Sequence, residues 1–170
     1  MDTPKIYLET TMFSFFYEKR TAPPYLELKT DVHRIFDLIK AGEYIPHTSI
    51  YAIDEIMNES NTRKRELMVA LVNEYDVEIL PASSEAQWLA DLYIQEGAIS
   101  PLYKTDAIHI ALATLSGLDF LISLNFTHIT RIWTIEKVRR VNARMKFQGI
   151  GIYKPGEVLE IYENSAGLLE

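Results

Sequence analysis

The sequence predicts one α/β domain, built on a mainly parallel central sheet of four or five strands with helices on both faces. Three observations carry this. Short apolar stretches of strand length alternate with segments whose apolar residues recur at helical spacing, and turn-forming residues stand between them. The chain has 170 residues and no interdomain linker, internal repeat or low-complexity tract, so a single domain over 1–170 is expected. Finally, 48% of the residues are hydrophobic and none is cysteine, which leaves the core to hold the fold and removes disulfides and cysteine-type zinc sites.

The elements follow in order. Residues 5–8 (K-I-Y-L) read as a first strand ending at the polar pair Glu9-Thr10. After the turn at Ala22-Pro23-Pro24, Leu28, Val32, Ile35, Phe36 and Ile39 mark a helix that Gly42 ends. Residues 44–48 (Y-I-P-H-T) form a second strand, and Pro46 places it at an edge or in imperfect pairing. Ser49 caps a helix with Ile50, Ile53, Ile56 and Met57 facing inward, and another helix covers about 62–72. Residues 77–80 are a third strand closed by Pro81, followed by helices over 84–96 and 105–115, the second stopped by Gly117. Residues 120–123 (F-L-I-S) are the most strand-like segment. A basic helix over 134–145, a strand over 150–153 and a helix opened by Pro155 complete the chain.

Charge narrows the function. With 17 basic and 24 acidic residues the net charge is −7, so any grip on nucleic acid needs a bound cation or a local basic patch. One patch lies between Arg131 and Lys146, where Lys137, Arg139, Arg140 and Arg144 are opposed only by Glu136. It is either an ordinary solvated helix face or a phosphate-contacting surface. The first residues, M-D-T-P-K, show no basic segment leading into an apolar core, and no apolar run approaches the roughly 20 residues of a membrane span. A cytoplasmic protein with no membrane partner is expected.

Ligands of open parallel sheets bind at the strand C-termini. Glu9 stands at such an end, as does Asn125, two residues after F-L-I-S. Asp106 lies in the first turn of the helix before that strand, where a carboxylate also simply faces the helix dipole. Glu55 flanks the apolar stripe of its helix, pointing into the cleft or remaining a surface glutamate. Carboxylates gathered together repel unless a proton or cation intervenes, and oxygen ligands suit Mg²⁺ or Mn²⁺. Thr10 either caps the next helix or donates its hydroxyl to one of these carboxylates.

Four segments resemble the PIN-domain ribonucleases, in particular the toxin-like (VapC-type) single-domain proteins. They are I-Y-L-E-T-T at 6–11, T-S-I-Y-A-I-D-E-I at 48–56, T-D-A-I-H-I-A-L-A at 105–113 and G-L-D-F-L-I-S-L-N-F-T-H-I at 117–129. Order and spacing agree over 6–129, and the D-A-x-H-I-A helix followed by L-I-S-x-N is the most specific part. The resemblance implies a metal-dependent endoribonuclease with Mg²⁺ or Mn²⁺. Glu9, Glu55 and Asp106 would be catalytic, Glu9, Asp106 and Asn125 would hold the metal, and Thr10 and Ser123 would orient those ligands. Arg131, Arg139 and Arg140 are candidates to contact RNA. A homodimer and a small antitoxin partner are further family expectations. Two departures stand out. The family typically has aspartate where this chain has Glu9, and often a fourth acid where it has Asn125.

The remaining candidates have plainer readings. His109 is expected to be packed and hydrogen-bonded and not a ligand, and His128 to cap or line the cleft. Phe13, Phe15, Phe16 and Tyr17 can stack RNA bases, but core packing or a dimer contact suits them better, and Trp88 and Trp133 are expected to pack. An aspartyl-phosphate phosphatase would need a second acid two positions after the first, where Thr11 stands. A receiver-type signalling domain would need an acidic pair near the first strand and a lysine after a late one. The alternative to a nuclease is a catalytically impaired PIN-like domain that binds RNA or protein, which Asn125 favours and the retained acids oppose.

Overall fold

The structure, a computed structural model, describes residues 2–167. The chain runs β1 (Lys5–Leu8), α1 (Thr10–Phe16), α2 (Tyr25–Lys40), β2 (Ile45–Ser49), α3 (Ile50–Met57), α4 (Thr62–Glu74) and β3 (Glu78–Leu80). It continues through α5 (Ser84–Gln95), a 3-10 turn (Pro101–Tyr103), α6 (Lys104–Leu115), β4 (Phe120–Ile122), α7 (Ile132–Arg144), β5 (Gly151–Tyr153) and α8 (Pro155–Gly167). The five strands pair in parallel in the order β3-β2-β1-β4-β5. The expected sheet and its helical cover are therefore present, with β1 at the centre.

Strand alternation divides the core in two. Ile6 and Leu8 of β1 face a cluster with Met12, Phe13, Val32, Phe36, Leu71 and Val158, which gathers α1, α2, α4 and α8 on one side. Tyr7 points the other way, among Leu89, Ala107, Ala111 and Val138 of α5, α6 and α7. Strands buried on both faces are what a parallel sheet requires, and the wholly apolar side chains flanking Tyr7 in K-I-Y-L supply it.

Several expectations are corrected in detail. Pro46 lies in an interior strand, not at an edge: β2 sits between β1 and β3. The Ile45 N–H donates to Pro4 O on the β1 side, so the imino nitrogen of Pro46 faces β3, whose pairing begins only opposite His47. No ladder bond is lost. The inward face of α3 is Ala52 and Ile56, with Ile53 packed against the core as expected, and Ile50 37% and Met57 54% exposed. That rotation turns Glu55 toward the interior. Trp88 and Trp133 are 52% and 57% exposed, so they are not core residues. Phe13 is buried and stacks edge-on with Phe36, while Phe16 lies against His33, which makes the aromatic run core packing. Helix and strand limits otherwise differ from the expected ones by a residue or two, as fraying ends do. Among the described residues, no helix is long and apolar enough to cross a membrane.

Candidate metal centre

Glu9 leaves β1 with extended backbone, and its N–H donates to Ile122 O of β4 at 3.1 Å. The side chain folds back onto α1. Its Oε2 accepts the Thr11 N–H at 3.2 Å, and its Oε1 accepts the Thr11 hydroxyl at 2.6 Å together with the Ser123 hydroxyl. Glu9 is thus the cap of α1, satisfying one of its orphan N–H groups. Thr10 does not cap; its hydroxyl donates to Glu55 Oε1 at 2.9 Å. Only 2% of Glu9 is exposed, and that burial pushes its carboxyl up, against the opposing pull of His109 and of the Ser123 and Thr11 hydroxyls.

Glu55 comes in on α3, whose first turn is capped by the Ser49 hydroxyl accepting the Ala52 N–H. Across from it, α6 presents His109, which is fully buried. His109 Nε2 lies 2.5 Å from Glu55 Oε1, and Nδ1 lies 2.5 Å from the Tyr7 hydroxyl, itself 2.7 Å from Ser49 Oγ. An ionised carboxylate only accepts, so Nε2 is the donor. Burial alone would raise the Glu55 carboxyl, but the His109 hydrogen bond and charge outweigh it and hold the group below its ordinary value. Burial also works against a charged imidazole, yet Glu55, Glu9 and Asp106 together raise His109. Glu9, Glu55 and His109 each offer a ligand atom within 4.8 Å of the others.

Asp106, in the first turn of α6, stands beside this group. Its Oδ2 accepts from Asn125 Nδ2 at 3.3 Å and lies 3.3 Å from His128 Nδ1. The His128 ring stacks on Tyr103 with centroids 3.6 Å apart, so His128 lines the cleft. Burial raises the Asp106 carboxyl, with His109 lowering it and Glu55 adding to the rise. Asn125 is held on both sides: its Oδ1 accepts the His128 N–H at 3.0 Å, and its own N–H donates to Ser123 Oγ at 2.9 Å. Ser123 thereby links Glu9 to the Asn125 loop.

The donor set fits a hard divalent cation. Two carboxyls, Glu9 and Asp106, are raised by burial, and His109 Nε2 is already committed to Glu55. What remains is oxygen, the ligand type of Mg²⁺ and Mn²⁺. The basic stretch is placed differently from the acids. Arg131 is tied inward, donating to Thr134 Oγ1 at 2.8 Å and Ala98 O at 3.4 Å. Arg139 and Arg140 are exposed and share Glu136, at 2.7 and 3.3 Å. Arg144 pairs with Glu96.

Sequence reasoning placed His109 correctly as a packed, hydrogen-bonded residue but missed that its partner is Glu55, and it missed Tyr7 altogether. The only sequence signal was a tyrosine in the middle of an otherwise apolar strand, facing the helix that carries His109.

No protein-family model matches the sequence, and no curated protein sequence matches it. Among solved structures, the chain is similar to one described as VapBC2 from Rickettsia felis bound to a DNA fragment from their promoter. The TM-score is 0.53 at 10% identity, covering 88% of this chain and 98% of that one. At so low an identity the likeness shows the fold alone. That fold agrees with the PIN-like architecture implied by the sequence resemblance.

Proposed function

We propose that this PIN-like chain is a metal-dependent endoribonuclease of the toxin type, cutting RNA phosphodiester bonds at the cleft formed by Glu9, Glu55 and Asp106. The observation that carries this is the meeting of Glu9 and Glu55 with His109, from positions far apart in the chain, at the C-terminal end of the central strand, with Asp106 near enough to feel the charges of Glu55 and His109. One imidazole, His109, faces three acids, so the group as a whole is short of positive charge, as a cation site would be.

Glu9 and Asp106 would hold the ion, with Asn125 offering its carbonyl oxygen only if the bond to His128 is shared or released. Bound there, Mg²⁺ or Mn²⁺ lowers the pKa of water and offsets the charge of an incoming phosphate. Glu55, held ionised by His109, orients the attacking water through whichever oxygen His109 and Thr10 leave free. Thr10 and Ser123 keep Glu55 and Glu9 from swinging out of line. Arg139 and Arg140, exposed on α7, are the phosphate contacts on the approach, with Arg131 acting by fixing the start of that helix. A homodimer and a small antitoxin that occupies the cleft complete the toxin reading; both rest on the resemblance.

The test is cleavage of a mixed set of structured RNAs with Mg²⁺ or Mn²⁺, against an EDTA control and Asp106→Ala. Cutting that needs the metal and vanishes in the variant is the expected result. Cutting by Asp106→Ala in metal-clean buffer would overturn the assignment. Asn125, an amide bound to its own loop where a fourth acid would strengthen the site, favours one other outcome. If calorimetry detects no metal and nothing is cut, the chain is a PIN-like binding module.

A further inference from the structure

Beneath the acids lies a hydrogen-bonded chain of which the roles above use only the last link, His109 to Glu55. Tyr7 and His109 are both fully buried, in a cluster otherwise made of alanine, leucine, isoleucine and valine side chains with Tyr93. An unpaired phenol or imidazole there would carry the uncompensated cost of its desolvation. Each polar atom instead has a partner: Ser49 Oγ to Tyr7 Oη at 2.7 Å, Tyr7 Oη to His109 Nδ1 at 2.5 Å, and His109 Nε2 to Glu55 Oε1 at 2.5 Å. The chain crosses from the end of β2, through the middle of β1, to α6, and stops at Glu55 on the short helix α3.

We propose that Ser49, Tyr7 and His109 are a positioning relay that fixes Glu55 by its Oε1 and leaves Oε2 as the only oxygen of that carboxylate free for water. This rests on the metal-hydrolase function proposed above. Glu55 has the least burial of the acids, and a glutamate there has its side-chain torsions to lose. Two donors converge on the same oxygen: the His109 Nε2–H and the Thr10 hydroxyl, at 2.5 and 2.9 Å. That pair stops the carboxylate from rotating. The imidazole is itself prevented from swivelling by Tyr7, whose ring lies 5.6 Å away at a tilt of 57°. Whether Nδ1 accepts from the Tyr7 hydroxyl or donates to it, Nε2 donates to Glu55; only the Tyr7 and Ser49 hydroxyls exchange roles.

Tyr7→Phe tests the relay, because it keeps the ring and its packing and removes one oxygen. In metal-free protein labelled with ¹⁵N-histidine, His109 should give a downfield, slowly exchanging Nε2–H resonance in the wild type, broadened or lost in Tyr7→Phe. In the RNA assay kcat should fall roughly 10- to 100-fold, the usual effect of removing a ligand's supporting partner. KM and the calorimetric Mn²⁺ affinity should stay within about twofold, since Glu9 and Asp106 are untouched. If Tyr7→Phe does not fold, Ser49→Ala interrupts the same chain one bond further away and should broaden the same resonance. An unchanged resonance in a folded variant overturns the relay, as does a lost resonance with kcat intact. If the wild type cuts no RNA, the nuclease reading falls and the resonance alone decides the relay.

Discussion

Replacing Asn125 with aspartate tests how the cleft balances its charge. Asn125 Nδ2 donates to Asp106 Oδ2 across 3.3 Å. Asn125→Asp puts an acceptor oxygen where that donor was, setting two carboxylate oxygens about 3.3 Å apart. At an effective dielectric of about 20 the repulsion is about 5 kcal/mol. His128 on the other side of Asp106 and the open side of the cleft weaken it. About half, some 2.5 kcal/mol, is expected as lost stability of the metal-free protein near pH 8. For a domain of this size that is a fall in Tm of roughly 5–10 °C. A bound divalent ion removes the repulsion, so the same free energy returns as affinity, about 70-fold tighter for Mn²⁺. Thermal denaturation in EDTA and calorimetric titration with Mn²⁺ measure the two halves. A metal-free Tm equal to that of the wild type, or an unchanged Mn²⁺ Kd, would refute the reasoning.

Acidity should act on the metal-free protein in a definite direction. Burial raises Glu9 and Asp106 above their ordinary 4.5 and 3.8, so the folded chain keeps protons that the unfolded chain has released. Stability therefore falls as pH rises from about 4 through the raised folded values. His109, raised above 6.5, adds stability below that pH and loses it as pH climbs through its folded value. Of these four groups Glu55 alone opposes, losing its contribution on acidification below 4.5. A Tm in EDTA that declines from about pH 5 to 8, and flattens with Mn²⁺, is the expected outcome; a rising Tm contradicts it. Replacing Arg139 and Arg140 together by alanine should barely change Tm, since both pair with Glu136, a surface residue of the same helix. The same change should flatten the salt dependence of RNA binding by about one unit of slope for each phosphate no longer neutralised, and an unaltered slope would remove α7 from the RNA path.

Much of the fold was legible because the sequence is locally consistent. K-I-Y-L has the burial of a central strand written into it, and β1 occupies the expected residues. Positions 9 and 55 were readable as neighbours because strand ends and helix starts converge in a parallel sheet. What local pattern cannot report is contact across the sheet. Pro46 looked like an edge marker because the side to which its nitrogen points depends on where β3 starts pairing. The α3 stripe was half read by the same kind of blindness: four apolar residues qualified, and only docking on the neighbouring helices keeps Ile53 and Ile56, adds Ala52 and leaves Ile50 and Met57 exposed. Glu9 as a helix cap needed the knowledge that Thr10 would be drawn away by Glu55. The pairing of His109 with Glu55 joins residues 54 apart, a distance that no spacing rule covers.

The placement of β1 has a kinetic consequence. Glu9 and Ser123 touch across 114 residues of chain, and the acid cleft exists only once β4 has docked beside β1. Such long loops close late, when most of the local helices have already formed. A cation held there is expected to stabilise an arrangement that forms after the transition state, lengthening the lifetime of the native chain without hastening its formation. In stopped-flow mixing, Mn²⁺ should slow the unfolding arm and leave the refolding arm where it is; a matching acceleration of refolding would mean that the cleft assembles early.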